Sequence, residues 1–337
     1  MPVSSLTLAN HLLQQQTLPP GLTHDLSQVI RHIALTGKII GRELSEAALH
    51  GALGLTGETN VQGEVVQKLD ERANELFVQT FEGQGGVVRA IVSEEMDKPC
   101  EVGGQAGDRR GEHVLFLDPL DGSSNLDANM TVGSIFSIHR AQDHVQPDVE
   151  TGLLKRGRDQ LAAGYMLYGP ATVLVYTCGA GVYQFTLDRG IGEFVLSGSR
   201  LKMPARGKVY SANESNYAKW PRGVQRFVDY LRDKDAATGR PYASRYSGCL
   251  VADVHRFLTG GGVYLYPGEI SKPEGKLRLM YEAAPLGFII EQAGGLASTG
   301  TERIGDILPT AVHQRIPLII GSQEDVSKAE EFIPDRR

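Results

Sequence analysis

The sequence predicts a mixed α/β fold of stacked helix and sheet layers, and three observations predict it. Helical and strand-like patterns alternate along the chain, strand signals crowd its middle, and 337 residues are enough for two cores. Alternating elements of this kind bury their apolar faces only when one layer covers the next.

Taken in order, residues 1–21 are polar, end in Pro19, Pro20 and Gly21, and read as a loose leading arm. Thr23 is placed to cap a long helix whose Leu26, Ile30, Ile33, Ile40 and Leu44 share one face. The glycine-rich stretch 51–63 reads as a loop, and 64–81 as a second helix with an apolar stripe on Val66, Leu69, Ala73, Leu76 and Phe77. Strands are predicted at 87–93, 114–117, 134–139, 164–168, 172–177 and 182–187, the last three spaced as an antiparallel meander. A polar, glycine-containing loop fills 96–112. The texture changes at 197–207, which holds Pro204 and Gly207, so two units are expected, 1–200 and 201–337. In the second, 209–212, 263–266 and 317–321 read as strands. Helices are predicted at 223–232, 249–259 and 324–332, with another at 277–293 that Pro285 interrupts.

Composition narrows the function. A net charge of −6 leaves no basic footprint, which argues against nucleic acid as a partner. Cys100, Cys178 and Cys249 are far apart, with no metal-binding spacing, and read as thiols in a reducing compartment. No leader segment and no bilayer-length apolar run are visible, so a soluble cytoplasmic protein without membrane contact is expected.

The most informative stretch is VLFLDPLDGSSN at 114–125. A short apolar run enters a turn in which Pro119 pre-sets φ and Gly122 supplies conformational freedom. Asp118 and Asp121 stand three apart across it, so both carboxylates can face one point. Two nearby carboxylates repel unless a cation lies between them or one is protonated. Ser123, Ser124 and Asn125 follow as helix-start residues whose backbone N–H groups can hold an anion. Glu94 and Glu95 end another apolar run, and ligands gather at strand ends in α/β folds. If the two strands are neighbours, four acids converge in an all-oxygen set that suits Mg²⁺ or Mn²⁺ rather than zinc. Asp70 and Glu64 lie in the second predicted helix, and Glu282 lies beside Lys276 and Arg278. Asn213, Tyr217, Arg245, Tyr246 and Tyr266 form a hydroxylic and basic set fit for sugar hydroxyls and phosphate.

These residues, taken together, resemble class I fructose-1,6-bisphosphatase from near residue 21 to near 332. The blocks that carry the resemblance are NVQGEVVQKLD (60–70), SEE (93–95), VLFLDPLDGSSN (114–125), SRYSGCLVADVHR (244–256), YLYP (264–267) and KLRLMYE (276–282). The aspartate-rich turn is shared more loosely with inositol monophosphatase-like enzymes, and the later blocks decide between them. The resemblance implies a layered α-β-α-β-α sandwich and hydrolysis of the 1-phosphate of fructose 1,6-bisphosphate, in gluconeogenesis or the Calvin cycle. It implies Glu95 and Asp70 as the pair that activates water. Glu94, Asp118, the carbonyl of Leu120, Asp121, Glu282 and Glu64 are implied as ligands of two or three Mg²⁺ ions, with Mn²⁺ as the alternative. Asp121, Gly122, Ser123 and Ser124 would meet the leaving phosphate and sugar. Asn213, Tyr217, Tyr246, Tyr266 and Lys276 would hold the 6-phosphate and sugar, Arg278 would be a further substrate contact, and Arg245 would reach a neighbouring subunit of a homotetramer. Thr23, Ser27 and Arg140 correspond to the family's AMP site. There, however, His24 replaces a glycine and Glu112-His113 stands where Lys-Tyr is usual, which implies weakened AMP inhibition. Sedoheptulose 1,7-bisphosphate is the rival or additional substrate.

Overall fold

The computed structural model describes residues 6–17, 22–59, 65–82, 87–102, 111–141 and 151–333. Its first helix lies in the stretch that reads as a loose arm. Leu8–Gln16 is capped by the Thr7 hydroxyl and buries Leu8, His11 and Leu12, so three inward residues at helical spacing overcome a polar composition. Helix His24–Glu46 follows the expected cap: Thr23 Oγ1 accepts the Leu26 N–H at 3.2 Å. Between it and helix Lys68–Glu82, strands Leu55–Thr59 and Val65–Gln67 pair antiparallel, the first where a loop was expected and the second where the helix was expected to begin.

An eight-stranded sheet forms the first unit. Its spatial order is Glu193–Gly198, Val182–Asp188, Thr172–Thr177, Ala162–Tyr168, Val132–Arg140, His113–Asp121, Val88–Ser93, Cys100–Glu101. The predicted meander is there, and every neighbouring pair is antiparallel except Val88–Ser93 with His113–Asp121. A second sheet of five strands runs Ala243–Ser244, Val209–Ala212, Val263–Tyr266, Leu318–Gly321, Leu296–Ser298.

Burial gives the layering. Leu12, Ile30, Ile33 and Phe77 of the first three helices pack on Leu117, Phe136, Met166 and Phe185 of the large sheet. The opposite face, with Ile135, Tyr165 and Val175, packs on helices Leu250–Gly260 and Ala284–Gln292, which also cover Tyr264, Leu318 and Ile320 of the small sheet. The far side of that sheet is closed by helices Arg222–Arg232 and Gln323–Phe332 through Phe227, Leu231, Val326 and Ala329. The order is therefore helix, sheet, helix, sheet, helix. Each fully buried Phe or Leu contributes about 1.5–3 kcal/mol of transfer free energy to this stack.

One predicted helix divides. Leu277–Arg278 is a strand, Leu279–Ala283 a π-turn, and Ala284–Gln292 the helix. Pro285 does not interrupt that helix; it sits in its first turn, where a missing N–H removes no hydrogen bond. No described helix is long and apolar enough to cross a membrane.

Candidate active site

The parallel pairing fixes the site. Ser93 is in register with Leu117, so residues 94–95 and 118–121 leave two adjacent strands in the same direction. The Glu94 N–H donates to the Leu117 carbonyl at 3.0 Å and locks that exit. In the turn, Asp118 Oδ1 accepts the Leu120 N–H at 3.1 Å, and the Pro119 carbonyl accepts from Ser134 Oγ at 2.6 Å. Gly122 has φ of 77°, and a Cβ there would stand 2.6 Å from the Cys249 Cβ, so glycine is required twice over. A 3₁₀ turn, Ser123–Asn125, follows, and Asn125 Nδ2 ties it to the Ser247 carbonyl at 3.0 Å.

Asp121 joins the two units. Its carboxylate accepts the N–H groups of Leu250 at 3.2 Å and Val251 at 2.7 Å, and the Cys249 thiol at 3.0 Å. It thus closes the N-terminus of helix Leu250–Gly260, where negative charge is favoured. Sequence reading took Cys249 as an inert thiol. Its place just before an apolar helical run, at the N-cap, was the available signal.

A cleft of about 600 Å³ opens here. Asp70, Glu94, Glu95, Asp118, Asp121 and Glu282 line it, with Leu120, Gly122, Ser123 and Ser124 beside them and Asn213, Tyr246, Tyr266, Lys276 and Arg278 around the rest. The acids come from four separate stretches. Asp70 is in the first turn of its helix, not mid-helix, and accepts the Gln67 N–H at 3.0 Å. Glu282 sits in the π-turn and accepts the Arg278 N–H. Arg278 is 2% exposed, donates to the Lys276 carbonyl, and stands 3.7 Å from Glu94. It lines the cleft beside the acids. Gly248, Leu250, Tyr264 and Leu277 also line the cleft and were not anticipated. Tyr264 was readable, because alternation in YLYP places it on the same strand face as Tyr266, 6.3 Å away ring to ring.

Two predicted residues lie outside the cleft lining. The Tyr217 hydroxyl donates to Asp229 at 2.7 Å, outside the cleft lining, because its 3₁₀ turn, Glu214–Lys219, aims it at helix Arg222–Arg232. Arg245 is exposed and donates to the Ser244 carbonyl at 2.9 Å. Glu64 lies outside the described residues. Thr23 and Arg140 share a separate pocket of about 250 Å³ with His113. Ser27 does not line that pocket; its hydroxyl donates to the Thr23 carbonyl and accepts from Gln16 Nε2 at 2.8 Å.

Electrostatics separate the two ends of the cleft. Burial first, then Glu94, Asp121, Glu282 and Glu95, push the Asp118 carboxyl well above the usual range. Asp121 is also raised by burial, against the hydrogen bonds that favour its charge. Burial raises the Tyr246 phenol too, leaving a neutral donor at the distal end. Such crowded carboxylates fit a hard cation, since their donors are oxygen and, among the described residues, no imidazole lines the cleft. Among the described residues, no three such side chains are drawn close enough to grip one ion, several oxygens being taken up by N–H groups and Arg278.

Comparison with known proteins agrees with this geometry. The family model for the fructose-1-6-bisphosphatase N-terminal domain matches residues 6–199, and that for the C-terminal domain matches 203–334. The chain belongs to the fructose-1,6-bisphosphatase family. Among members of that family, class 1 fructose-1,6-bisphosphatase of Synechococcus sp. strain JA-2-3B'a(2-13) is 54% identical over 325 residues, covering 96% of this chain and 95% of its own. That of Trichormus variabilis is 49% identical over 334 residues, covering 97% and 92%. The crystal structure of Leishmania major fructose-1,6-bisphosphatase in holo form aligns with a TM-score of 0.89 at 37% identity, over 98% of this chain and 99% of that one.

Proposed function

We propose that this fructose-1,6-bisphosphatase family member hydrolyses the 1-phosphate of fructose 1,6-bisphosphate, giving fructose 6-phosphate and inorganic phosphate, with Mg²⁺ bound among the acids. The observation that carries the reading is Asp118, buried and crowded by four further carboxylates at one end of a cleft whose other end holds Asn213, Tyr246, Tyr266 and Lys276. Glu94, Asp118, the Leu120 carbonyl, Asp121, Glu282 and Glu64 would together hold two or three ions. Mg²⁺ there supplies charge neutralisation on the phosphate and polarises its ester bond. Glu95, with Asp70, takes the proton of the attacking water. Gly122, Ser123 and Ser124 present backbone N–H groups to the phosphate. The phenols, Asn213 and Lys276 fix the 6-phosphate, so remote binding energy orients the reacting end.

Support for a homotetramer comes from Arg245, whose exposed side chain can reach a neighbouring site in the assembly. The pocket shared by Thr23 and Arg140 supports weak AMP control. Arg140 stands 3.9 Å from Glu112, and burial keeps His113 neutral by lowering its pKa. The test is a substrate panel with a Mg²⁺ titration on wild type and Glu95→Gln. Loss of turnover with folding intact is expected, because the change is nearly isosteric. A Glu95→Gln enzyme that turns over normally would remove Glu95 as the base, and Mg²⁺-independent phosphate release would remove the cation.

A further inference from the structure

The strand that carries two of the acids loses its regular pairing at the site. Against strand Val132–Arg140, Asp118 faces Ile135 and Asp121 faces Gly133, so Pro119 and Leu120 together stand opposite the single residue Ser134. Two residues against one make a β-bulge, which bends a strand and re-aims its groups. The bulged residues lie between Asp118 and Asp121, so the shape of the bulge sets how the two carboxylates stand to one another. Pro119 has no N–H to give the ladder, and its carbonyl accepts from the Ser134 hydroxyl at 2.6 Å. Ser134 is 1% exposed, and this bond uses its one hydroxyl proton. The Tyr168 hydroxyl, 3.0 Å from Ser134 Oγ, is therefore the donor in that contact. Burial raises the Tyr168 phenol above its ordinary pKa, so it keeps the proton it donates. Tyr168 pairs with Val132, which puts it diagonal to Ser134 on one face of the sheet. Helix His24–Glu46 presses on the buried ring: a Cβ on Gly41 would stand 3.4 Å from Tyr168 Cδ1.

The hydrogen bonds thus run one way, from Tyr168 to Ser134 to Pro119, and end on the turn that bears the acids. We propose that Ser134 and Tyr168 are positioning residues for the phosphate ester hydrolysis: they hold the bulge at the spacing at which Asp118, the Leu120 carbonyl and Asp121 share a divalent cation. The inference rests on the reading that Mg²⁺ binds among these acids. Neither residue lines the cleft, so neither touches substrate. Loosening the bulge weakens cation binding and turnover, and leaves the grip of Asn213, Tyr246 and Lys276 on the distal phosphate as it was.

The test titrates Mg²⁺ into wild type, Ser134→Ala, Ser134→Thr, Tyr168→Phe and Ser134→Ala/Tyr168→Phe. Steady-state kinetics on fructose 1,6-bisphosphate are followed and, without substrate, the melting temperature. Ser134→Ala should need about tenfold more Mg²⁺ for half-saturation in both readouts, the factor that one buried hydrogen bond represents, with KM for the sugar within about twofold. Tyr168→Phe should need about threefold more, because Ser134 keeps its bond to Pro119. Ser134→Thr keeps the hydroxyl and should stay within about twofold of wild type. The double variant should match Ser134→Ala, because Tyr168 acts through Ser134. Losses that multiply in the double variant, a Mg²⁺ requirement unchanged by Ser134→Ala or by Tyr168→Phe, or a loss confined to KM would each overturn the proposal. A wild type whose turnover and melting both ignore Mg²⁺ would instead overturn the reading beneath it.

Discussion

Replacing Gly122 by alanine tests the joint between the two units. The backbone there has φ of 77°, and holding a residue other than glycine in that region costs about 1–3 kcal/mol. The new methyl would stand 2.6 Å from the Cys249 Cβ and 3.0 Å from its Cα, an overlap worth about 1–3 kcal/mol more. The sum, about 2–6 kcal/mol, is large beside the net stability of any domain. Thermal unfolding should show the melting temperature lowered by roughly 5–10 °C. Turnover should fall further than stability alone requires, because the turn that shifts carries Asp121. A second variant separates strain from overlap. Gly122→Ala with Cys249→Gly removes the clashing Cβ and should recover the overlap part, while Gly122→Ala with Cys249→Ala should recover almost none. The reasoning is refuted if Gly122→Ala melts with wild type, or if the alanine partner rescues as well as the glycine partner.

Cys249 itself gives a finer test: Cys249→Ser keeps a donor to Asp121 and should match wild type, whereas Cys249→Ala should lose about 1 kcal/mol in denaturant unfolding. His139 is buried with no hydrogen-bond partner at either ring nitrogen among the described residues, and burial lowers its pKa to about 3. The unfolded chain takes up that proton near the ordinary imidazole value of 6.5, so the native state has its full stability above this and loses about 1.4 kcal/mol per pH unit as pH falls toward 3. His139→Phe should flatten that slope in unfolding free energies measured between pH 4 and 7 (about three units of range), and an unchanged slope would count against it. AMP should inhibit poorly, because the one arginine lining the Thr23 pocket faces Glu112; inhibition at low micromolar nucleotide in a purified assay would reject this.

The layered fold was legible because its longest elements carry clear periodicity. The helix over Leu26–Leu44 and the meander strands needed nothing beyond local pattern. What escaped was short or depended on partners: Cys100–Glu101 and Ala243–Ser244 are two-residue strands that exist only through a neighbour's edge. Asp118, Asp121, Glu94 and Glu95 were readable because turn chemistry and strand ends are local signals. The direction of Tyr217 was not legible, because the aim of its side chain depends on Asp229 of a helix that packs beside it. Arg278 was legible as a residue of the cleft, but only tertiary packing reveals that its guanidinium stands 3.7 Å from Glu94.

The hydrogen bonds of Asp121 have a consequence for biosynthesis. Their donors lie 128 to 130 positions further along the chain, so the loop joining them must close before this carboxylate is satisfied. A ribosome-bound fragment that stops short of Leu250 can form the large sheet but has no group to quiet that charge. Turnover should therefore appear only when nearly the whole polypeptide has emerged, and in refolding its return should trail the recovery of circular dichroism.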